Sequence, residues 1–424
     1  MAKAIFEIDI LNFEVKALQW AQQFNEVCYL QSNDYADEYA SIQRILAVDA
    51  LYTFKADKNN AFEGLEKFKA EHPNQWMFGF FSYDLKNELE ELETNFPNPL
   101  DFPDLLFFIP KILIHFLGNK IEIEAQDPQK IFNSINHISL KSNTNSHDPI
   151  RIQHRFSKEA YFEAFTKMIK HINRGDIYEV NLCQEFFAEN VEINPLEVYR
   201  KLNEVSPTPF STYFKLNDKY ILSASPERFM AKRGSTLLSQ PIKGTAARSK
   251  NEEEDAIIIE ELRNNPKEIA ENVMIVDLVR NDMTRSAMPG TVVAERKLEV
   301  HSFKQVHQLI STITCTQHPD ISDIQAIKSA FPPGSMTGAP KISAMQLCDR
   351  YESSRRGIYS GSVGYFAPNG DFDFNVIIRT ILYNDTNRYL SYHTGGALTI
   401  DSDQEKEYQE CLLKASGILK TLEG

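Results

Sequence analysis

Four glutamates and one lysine stand where they could do chemistry. In "NNPKEIAENVMIVDLVRND", Glu268 and Glu271 lie at i and i+3, on one face of a helix that Asn265 can cap and Pro266 can start. Ile269, Val273 and Val276 form an apolar stripe beside them. Near the C-terminus, "DQEKEYQECLLKASGILKTLE" repeats the device: Glu407, Glu410 and Lys414 fall within one narrow sector. Alone, each pair reads as a solvated helix face. If the two faces meet across a cleft, the carboxylates repel, since two unit charges ~4 Å apart cost about 4 kcal/mol at an effective dielectric of 20. A divalent cation removes that penalty. All-oxygen ligands without Cys or His suit a hard ion, and Mg²⁺ keeps open positions for water or substrate.

Lys243 lies in "SQPIKGTAAR", where Pro241 and Gly244 predict a tight, stiff turn. A lysine in a turn is ordinarily a solvated charge. As a nucleophile it must be neutral, and with a pKa near 10.4 only about one amine in 2500 is neutral at pH 7. Desolvation in a closed pocket is therefore expected to lower its pKa by a few units. The glycine-rich loop "AFPPGSMTGAPKISAMQLCDRYE" runs into a helix, with Pro340 predicted at the first helical position. Backbone N–H groups near Thr337, Gly338 and Ala339 would then face an anion. The spacing of Gly334, Gly338 and Lys341 is wrong for a nucleotide-binding Walker loop. "HTGGALTID" places Gly395 and Gly396 in a second segment of close backbone approach. Arg379, in "NVIIRTILY", reads as a charge within an alternating apolar strand; it needs a partner, and its fork suits a carboxylate.

The elements that must hold these residues mix strands and helices. "NQWMFGFFSYD" and "KILIHFLGNKIEIEA" alternate as strands, with a hairpin at Gly118-Asn119. "IYEVNLCQEFFAE" and "YILSASPERFMAKRG" also read as strands, and Asn369-Gly370 supplies a hairpin turn. "SKEAYFEAFTKMIKHINRGD" predicts a helix from the Ser157 cap to Gly175. Hairpins with amphipathic helices point to an α+β fold. The polar stretch "SLKSNTNSHDP" suggests a boundary near residue 145, dividing residues 1–145 from 150–424.

Composition narrows the function. The chain of 424 residues is 42% hydrophobic, enough for a large core, and its net charge is −14. No long basic cluster offsets that charge, so nucleic acid and anionic membranes are poor partners. "MAKAIFEIDI" carries acids where a signal peptide needs an apolar core. The greasiest run, "LLFFIPKILIHFLG", is interrupted by Pro110, Lys111 and His115 and reads as buried strands, too short to span a bilayer. Five cysteines without a C-x-x-C pair imply a reduced, cytoplasmic setting and no zinc site.

Taken in order, "GDIYEVNL", "ASPERF", "PIKGT", "KEIAENVMIVDLVRND", "FPPGSMTGAPK", "GIYSGSVGY", "IIRT" and "EKEYQECLLK" resemble the chorismate-utilising enzyme family over roughly residues 155–424. The resemblance implies one large α+β unit, a two-sheet sandwich with helices outside, in which the N-terminal part interleaves with the rest. It implies chorismate as substrate and Mg²⁺ as cofactor. Glu271 and Glu410 match the metal ligands, with Glu268 and Glu407 as outer partners. Tyr359 and Arg379 match residues that hold the enolpyruvyl carboxylate. Thr337, Gly395 and Lys414 match other substrate positions, beside which Gly244, Thr245 and Gly396 would let backbone and substrate approach. Glu227 matches the general acid that assists loss of the C4 hydroxyl. "PIKGT" is the form of the branch that aminates chorismate at C4, toward para-aminobenzoate and folate, using ammonia from a glutamine amidotransferase subunit. Amination at C2, to anthranilate, is the rival. Two positions depart from the pattern: Glu179 stands where glutamine is more usual in the amino branch, and Ala397 stands where a third glycine is expected.

Overall fold

The computed structural model describes residues 1–56, 59–140, 150–304 and 306–423. Its strands form one antiparallel ladder folded into two layers. The first layer runs, in spatial order, Glu179–Glu189, Tyr389–Leu398, Thr380–Asn384, Lys219–Ser225, Phe210–Leu216, Glu26–Gln31 and Arg44–Ala56. Arg44–Ala56 pairs with Leu105–Leu117, whose first half pairs onward with Met77–Phe81. The second layer continues through Ser362–Phe366, Phe372–Val376, Arg228–Arg233, Thr236–Gln240 and Val306–Thr316.

Side-chain parity explains the two layers. Cys28, Ile45, Ala47, Phe214 and Ile221 of the first layer share one core with Phe78, Phe80, Val363 and Tyr365 of the second. Residues of the other parity, such as Val27, Tyr29, Leu46 and Val48, face outward against the helices Ile10–Ala21, Pro195–Val205 and Gln404–Leu422. On the second layer, Met77, Leu105 and Phe107 face Ala61–Glu71, Pro266–Thr284 and Asp323–Ala330. A fully buried phenylalanine such as Phe78 contributes about 2–3 kcal/mol through lost hydration. The arrangement is the predicted sandwich with helices outside. Strands on either side of residue 145 pair with each other: Glu26–Gln31 lies against Phe210–Leu216, and Met77–Phe81 against Ser362–Phe366. The suggested boundary itself, within 141–149, lies outside the described residues.

Local signals act where their chemistry predicts. Ser157 accepts from the Ala160 N–H and Gly175 closes the same helix at φ 81°. Asn265 accepts from the N–H groups of Lys267 and Glu268, with Pro266 opening the helix. Gly118, at φ 65°, turns the hairpin between Leu117 and Lys120. Three readings need correction. "LLFFIPKILIHFLG" is one strand, not several, because Pro110 falls where the partner bulges between Ala50 and Tyr52, and no ladder N–H is missed. "YILSASPERFMAKRG" splits into Lys219–Ser225 and Arg228–Arg233, since Pro226 cannot donate to a ladder. Val273 is half exposed, and the apolar stripe of its helix is Ile275, Val276, Val279 and Met283. Among the described residues no helix is long and apolar enough to cross a membrane.

Candidate active site

Lys243 is on a bulged strand, not in a turn. Thr236–Gln240 and Ile242–Ala247 pair with the same strand, Val306–Thr316, with Ser239 opposite Ile313 and Ile242 opposite Ile310. Pro241 interrupts the ladder for want of an N–H, and the register shifts between Ile242 and Thr245. Gly244 occupies that shift at φ 90°. A Cβ there would sit 3.0 Å from both Glu268 Oε2 and Leu309 Cδ1. The bulge leaves the Lys243 side chain only 10% exposed, with its amine donating to Glu179 Oε1 at 2.5 Å. Burial pushes this amine down, as expected from desolvation. The Glu179 carboxylate, with Glu271 and Glu227 beyond it, outweighs burial and holds the amine above its ordinary value. The expectation of a depressed lysine is thus corrected: Lys243 rests as a cation in an ion pair.

Glu227 sits at the break that Pro226 makes between two strands, and it is buried. Burial pushes its carboxyl up to about 7, against a Ser335 hydrogen bond, the Lys243 charge and the Ile242 N–H. Such a group is about half protonated at neutral pH, which suits a general acid.

The helices Pro266–Thr284 and Gln404–Leu422 do face each other across the site. Lys267 Nζ lies 3.6 Å from Glu271 Oε1 on its own helix and 3.9 Å from Glu407 Oε1 on the other. Burial works against this ammonium, yet Glu271, Glu407, Glu268 and Glu410 together raise its pKa. Burial likewise pushes Glu271 up to about 7, and raises Glu268 and Glu407. Glu410 goes the other way: burial opposes ionisation, but Lys414 at 2.7 Å prevails and lowers its pKa. Lys414 also donates to the Gly395 carbonyl at 2.9 Å. A Cβ on Gly396 would meet Glu407 Oε2 at 2.9 Å.

These residues fit a divalent cation. Glu271 Oε1 is buried without a hydrogen-bond donor, and the Lys267 ammonium stands between the helices as a surrogate positive charge. The donor set is all oxygen, as Mg²⁺ prefers. No three of the four carboxylates bring oxygens within 4.8 Å of one another, so a shared ion must draw the side chains inward and displace Lys267. Among the described residues the gathering that does meet that distance is His115, Glu122 and Glu124, where the Lys3 ammonium already donates to both glutamates.

The remaining predicted residues line the same region. Thr337 is buried, and its carbonyl accepts from the Asn181 N–H at 2.8 Å, two residues beyond Glu179. Gly338 and Ala339 pair with Val180 and Glu179, and a Cβ on Gly338 would fall 2.2 Å from the Glu179 carbonyl oxygen. The following helix begins at Lys341, one residue later than predicted, with Pro340 as its cap. The Thr337 N–H already donates to Gly334, so the predicted anion cradle at this helix start is partly spent on the loop itself. Thr245 is exposed at the rim, its hydroxyl accepting from Gln308 at 3.4 Å. Tyr359 is buried, stacked on His393 with centroids 4.9 Å apart. Arg379 is not inside a strand; it occupies the kink between Phe372–Val376 and Thr380–Asn384 at φ 52°. Burial pushes its guanidinium pKa down, and Tyr359 and Glu410 offset this only in part. A half-buried guanidinium whose neighbours offset its desolvation only in part is suited to an incoming anion.

Three residues escaped sequence reasoning. Lys267 was legible as the i,i+4 neighbour of Glu271. Ser335, which bonds Glu227, and Lys341, which donates to Asp282 at 2.6 Å and to the carbonyls of Ala330 and Pro332, show their roles only in three dimensions. Lys341 thereby staples the glycine-rich loop to the first carboxylate helix.

The family model of chorismate binding enzymes matches residues 25–420. An aminodeoxychorismate synthase of Streptomyces griseus is 40% identical over 277 residues, covering 65% of this chain; the chain spans only 38% of that relative's length. Aminodeoxychorismate synthase component 1 of Klebsiella aerogenes is 35% identical over 348 residues, 81% of this chain and 76% of that protein. The crystal structure of anthranilate synthase component I from Streptococcus pneumoniae TIGR4 superposes with a TM-score of 0.78 at 25% identity, covering 91% of this chain and 95% of that one.

Proposed function

Because this chain belongs to the chorismate binding enzyme family, we propose that it aminates chorismate at C4 with ammonia, giving 4-amino-4-deoxychorismate on the way to para-aminobenzoate and folate. The observation that carries this reading is Lys243, buried beside the half-protonated Glu227 and within reach of the four-carboxylate cleft.

In this reading the neutral Lys243 amine attacks ring C2 while Glu227 gives its proton to the departing C4 hydroxyl, which leaves as water. Ammonia then attacks C4, the C2–nitrogen bond breaks, and Lys243 is released. Two displacements put nitrogen on the carbon that lost oxygen. Arg379 and Tyr359 hold the enolpyruvyl carboxylate, while Thr337, Gly395 and Lys414 line the ring. Glu271 and Glu410 would hold Mg²⁺, with Glu268 and Glu407 as outer partners. Bound there, Mg²⁺ supplies the positive charge that lets an acidic cleft accept a carboxylate. Gly244 and Gly396 serve by being small, since any side chain would strike Glu268 or Glu407.

Ammonia is delivered by a separate glutamine amidotransferase. All five cysteines are buried, and burial raises every one of their thiol pKa values, so none is the exposed thiolate that amide hydrolysis needs. The second reading, amination at C2, draws on the likeness to an anthranilate synthase component. The test is to incubate purified protein with chorismate, Mg²⁺ and ammonium and to identify the product by mass and ultraviolet spectrum. A non-aromatic aminated product supports C4 amination; a fluorescent aromatic amine made by this chain alone refutes it.

A further inference from the structure

An ion-paired Lys243 poses a problem that the buried pocket does not solve by itself: a protonated amine cannot attack carbon. We propose that Glu179 is the base that frees it, taking the ammonium proton, storing it through the covalent stage and returning it at the end. This rests on the reading of Lys243 as nucleophile.

The geometry around Glu179 carries the argument. Its Oε1 is 2.5 Å from the Lys243 amine, so the proton need cross only one hydrogen bond. Its Oε2 is buried and has no donor among the described residues, so one oxygen remains free of competing hydrogen bonds. The backbone is held rigid: the Glu179 carbonyl oxygen lies against Gly338, and Glu179 pairs with Ala339. Neighbouring carboxyls are committed elsewhere. Glu227 must carry a proton to the leaving hydroxyl, and Glu271 faces the cation site. A substrate that closes the site removes water, and in a dry site a neutral amine beside a neutral carboxyl competes well with an ion pair.

The protons balance. Lys243–NH₃⁺ and Glu179–COO⁻ become Lys243–NH₂ and Glu179–COOH. The amine bonds C2 as a secondary ammonium, while the C4–O bond breaks and Glu227–COOH becomes Glu227–COO⁻ with release of water. Ammonia bonds C4, the C2–N bond breaks, and Lys243 leaves as a neutral amine. The new C4 ammonium gives one proton to Glu227, and Glu179 returns its own to Lys243. The sum is chorismate plus ammonia giving aminodeoxychorismate plus water.

The experiment follows adduct formation on the intact protein by mass spectrometry, with chorismate and Mg²⁺ but no ammonium, between about pH 6 and 9. Wild type, Glu179→Gln and Glu179→Asp are compared. Glu179→Asp keeps the negative charge that bears on Glu271 and Lys243, so comparing the two variants, each as a ratio to wild type, separates loss of the carboxylate from a change of side-chain length. For Glu179→Gln this ratio is expected near one hundredth at neutral pH and to rise about tenfold per pH unit, because the proton must now leave to solvent. Glu179→Asp keeps a carboxylate, so its ratio should stay flat with pH even where it is slow. A Glu179→Gln protein with the wild-type rate or a faster one overturns the proposal. So does a uniform slowing of both variants without a pH trend, which marks a structural role. If wild type itself forms no adduct, the reading of Lys243 fails first and this one with it; an adduct in wild type with an unaffected Glu179→Gln variant removes Glu179 alone.

Discussion

Replacing Gly244 by alanine should damage stability and cation binding together. The residue sits at φ 90°, a conformation that costs a non-glycine residue about 1–2 kcal/mol. The new methyl would also stand 3.0 Å from Leu309 Cδ1 and from Glu268 Oε2. Leu309 is fully buried and has nowhere to go, so overpacking adds about 1–3 kcal/mol. The total is about 2–5 kcal/mol. With an unfolding entropy of about 2.1 cal/mol/K per residue, that lowers the melting temperature by about 2–6 °C for a chain of this length. Glu268 is the easier neighbour to displace, so its carboxylate is pushed away from the cleft that Lys267 now spans. Differential scanning fluorimetry reads the first effect and calorimetric titration with Mg²⁺ the second, where affinity should fall at least severalfold. A variant that melts within about 1 °C of wild type and binds Mg²⁺ normally would refute both the strain and the placement of Glu268 beside Gly244.

Glu271→Gln or Glu410→Gln should nearly abolish turnover, and a chelator should mimic either; undiminished activity in excess chelator would show that the carboxylates serve another purpose. Glu227 gives a pH test of stability in the metal-free protein. Its carboxyl titrates at about 7 when folded, against the ordinary 4.5, so the folded chain holds more protons between those values and loses stability as pH rises through them. The loss is about 3 kcal/mol, and Glu227→Gln should abolish it, melting a few degrees above wild type at pH 8 while adduct formation collapses; parallel melting curves at pH 5 and pH 8 for both proteins would contradict the burial argument. The purified chain should use ammonium but not glutamine until an amidotransferase is added, and glutamine-dependent turnover by the single chain would sink the assignment of ammonia supply.

Much of the site was written in local spacing. The two Glu-x-x-Glu faces, the Asn265 cap with Pro266 behind it, and the Gly118 hairpin all depend on residues within one turn of each other, and the structure places them as the spacing predicts. The misreadings share one cause, which is a partner distant in the chain. Pro241 and Gly244 resemble a turn until Val306–Thr316 is seen running past both, which makes them a break and a bulge in one edge of a ladder. The sign of the Lys243 pKa shift follows from Glu179, 64 residues away, a contact that no period in the sequence encodes. Arg379 keeps its apolar alternation on both sides, yet the chain kinks at the residue itself, and among the described residues no carboxylate makes an ion pair with it, Glu410 acting only from a distance. Val273 sits at helical spacing from Ile269, but the buried stripe is set by where the Val306–Thr316 strand and the helix Asp323–Ala330 press on the other flank.

The most direct test of the central claim is peptide mapping of wild-type protein exposed to chorismate and Mg²⁺ without ammonia. The account predicts a mass gain equal to chorismate less one water, located on Lys243, absent from Lys243→Ala and discharged as aminodeoxychorismate when ammonium is added. A stable adduct on any other residue, or an unmodified Lys243 in protein that turns over normally once ammonium is supplied, would contradict it.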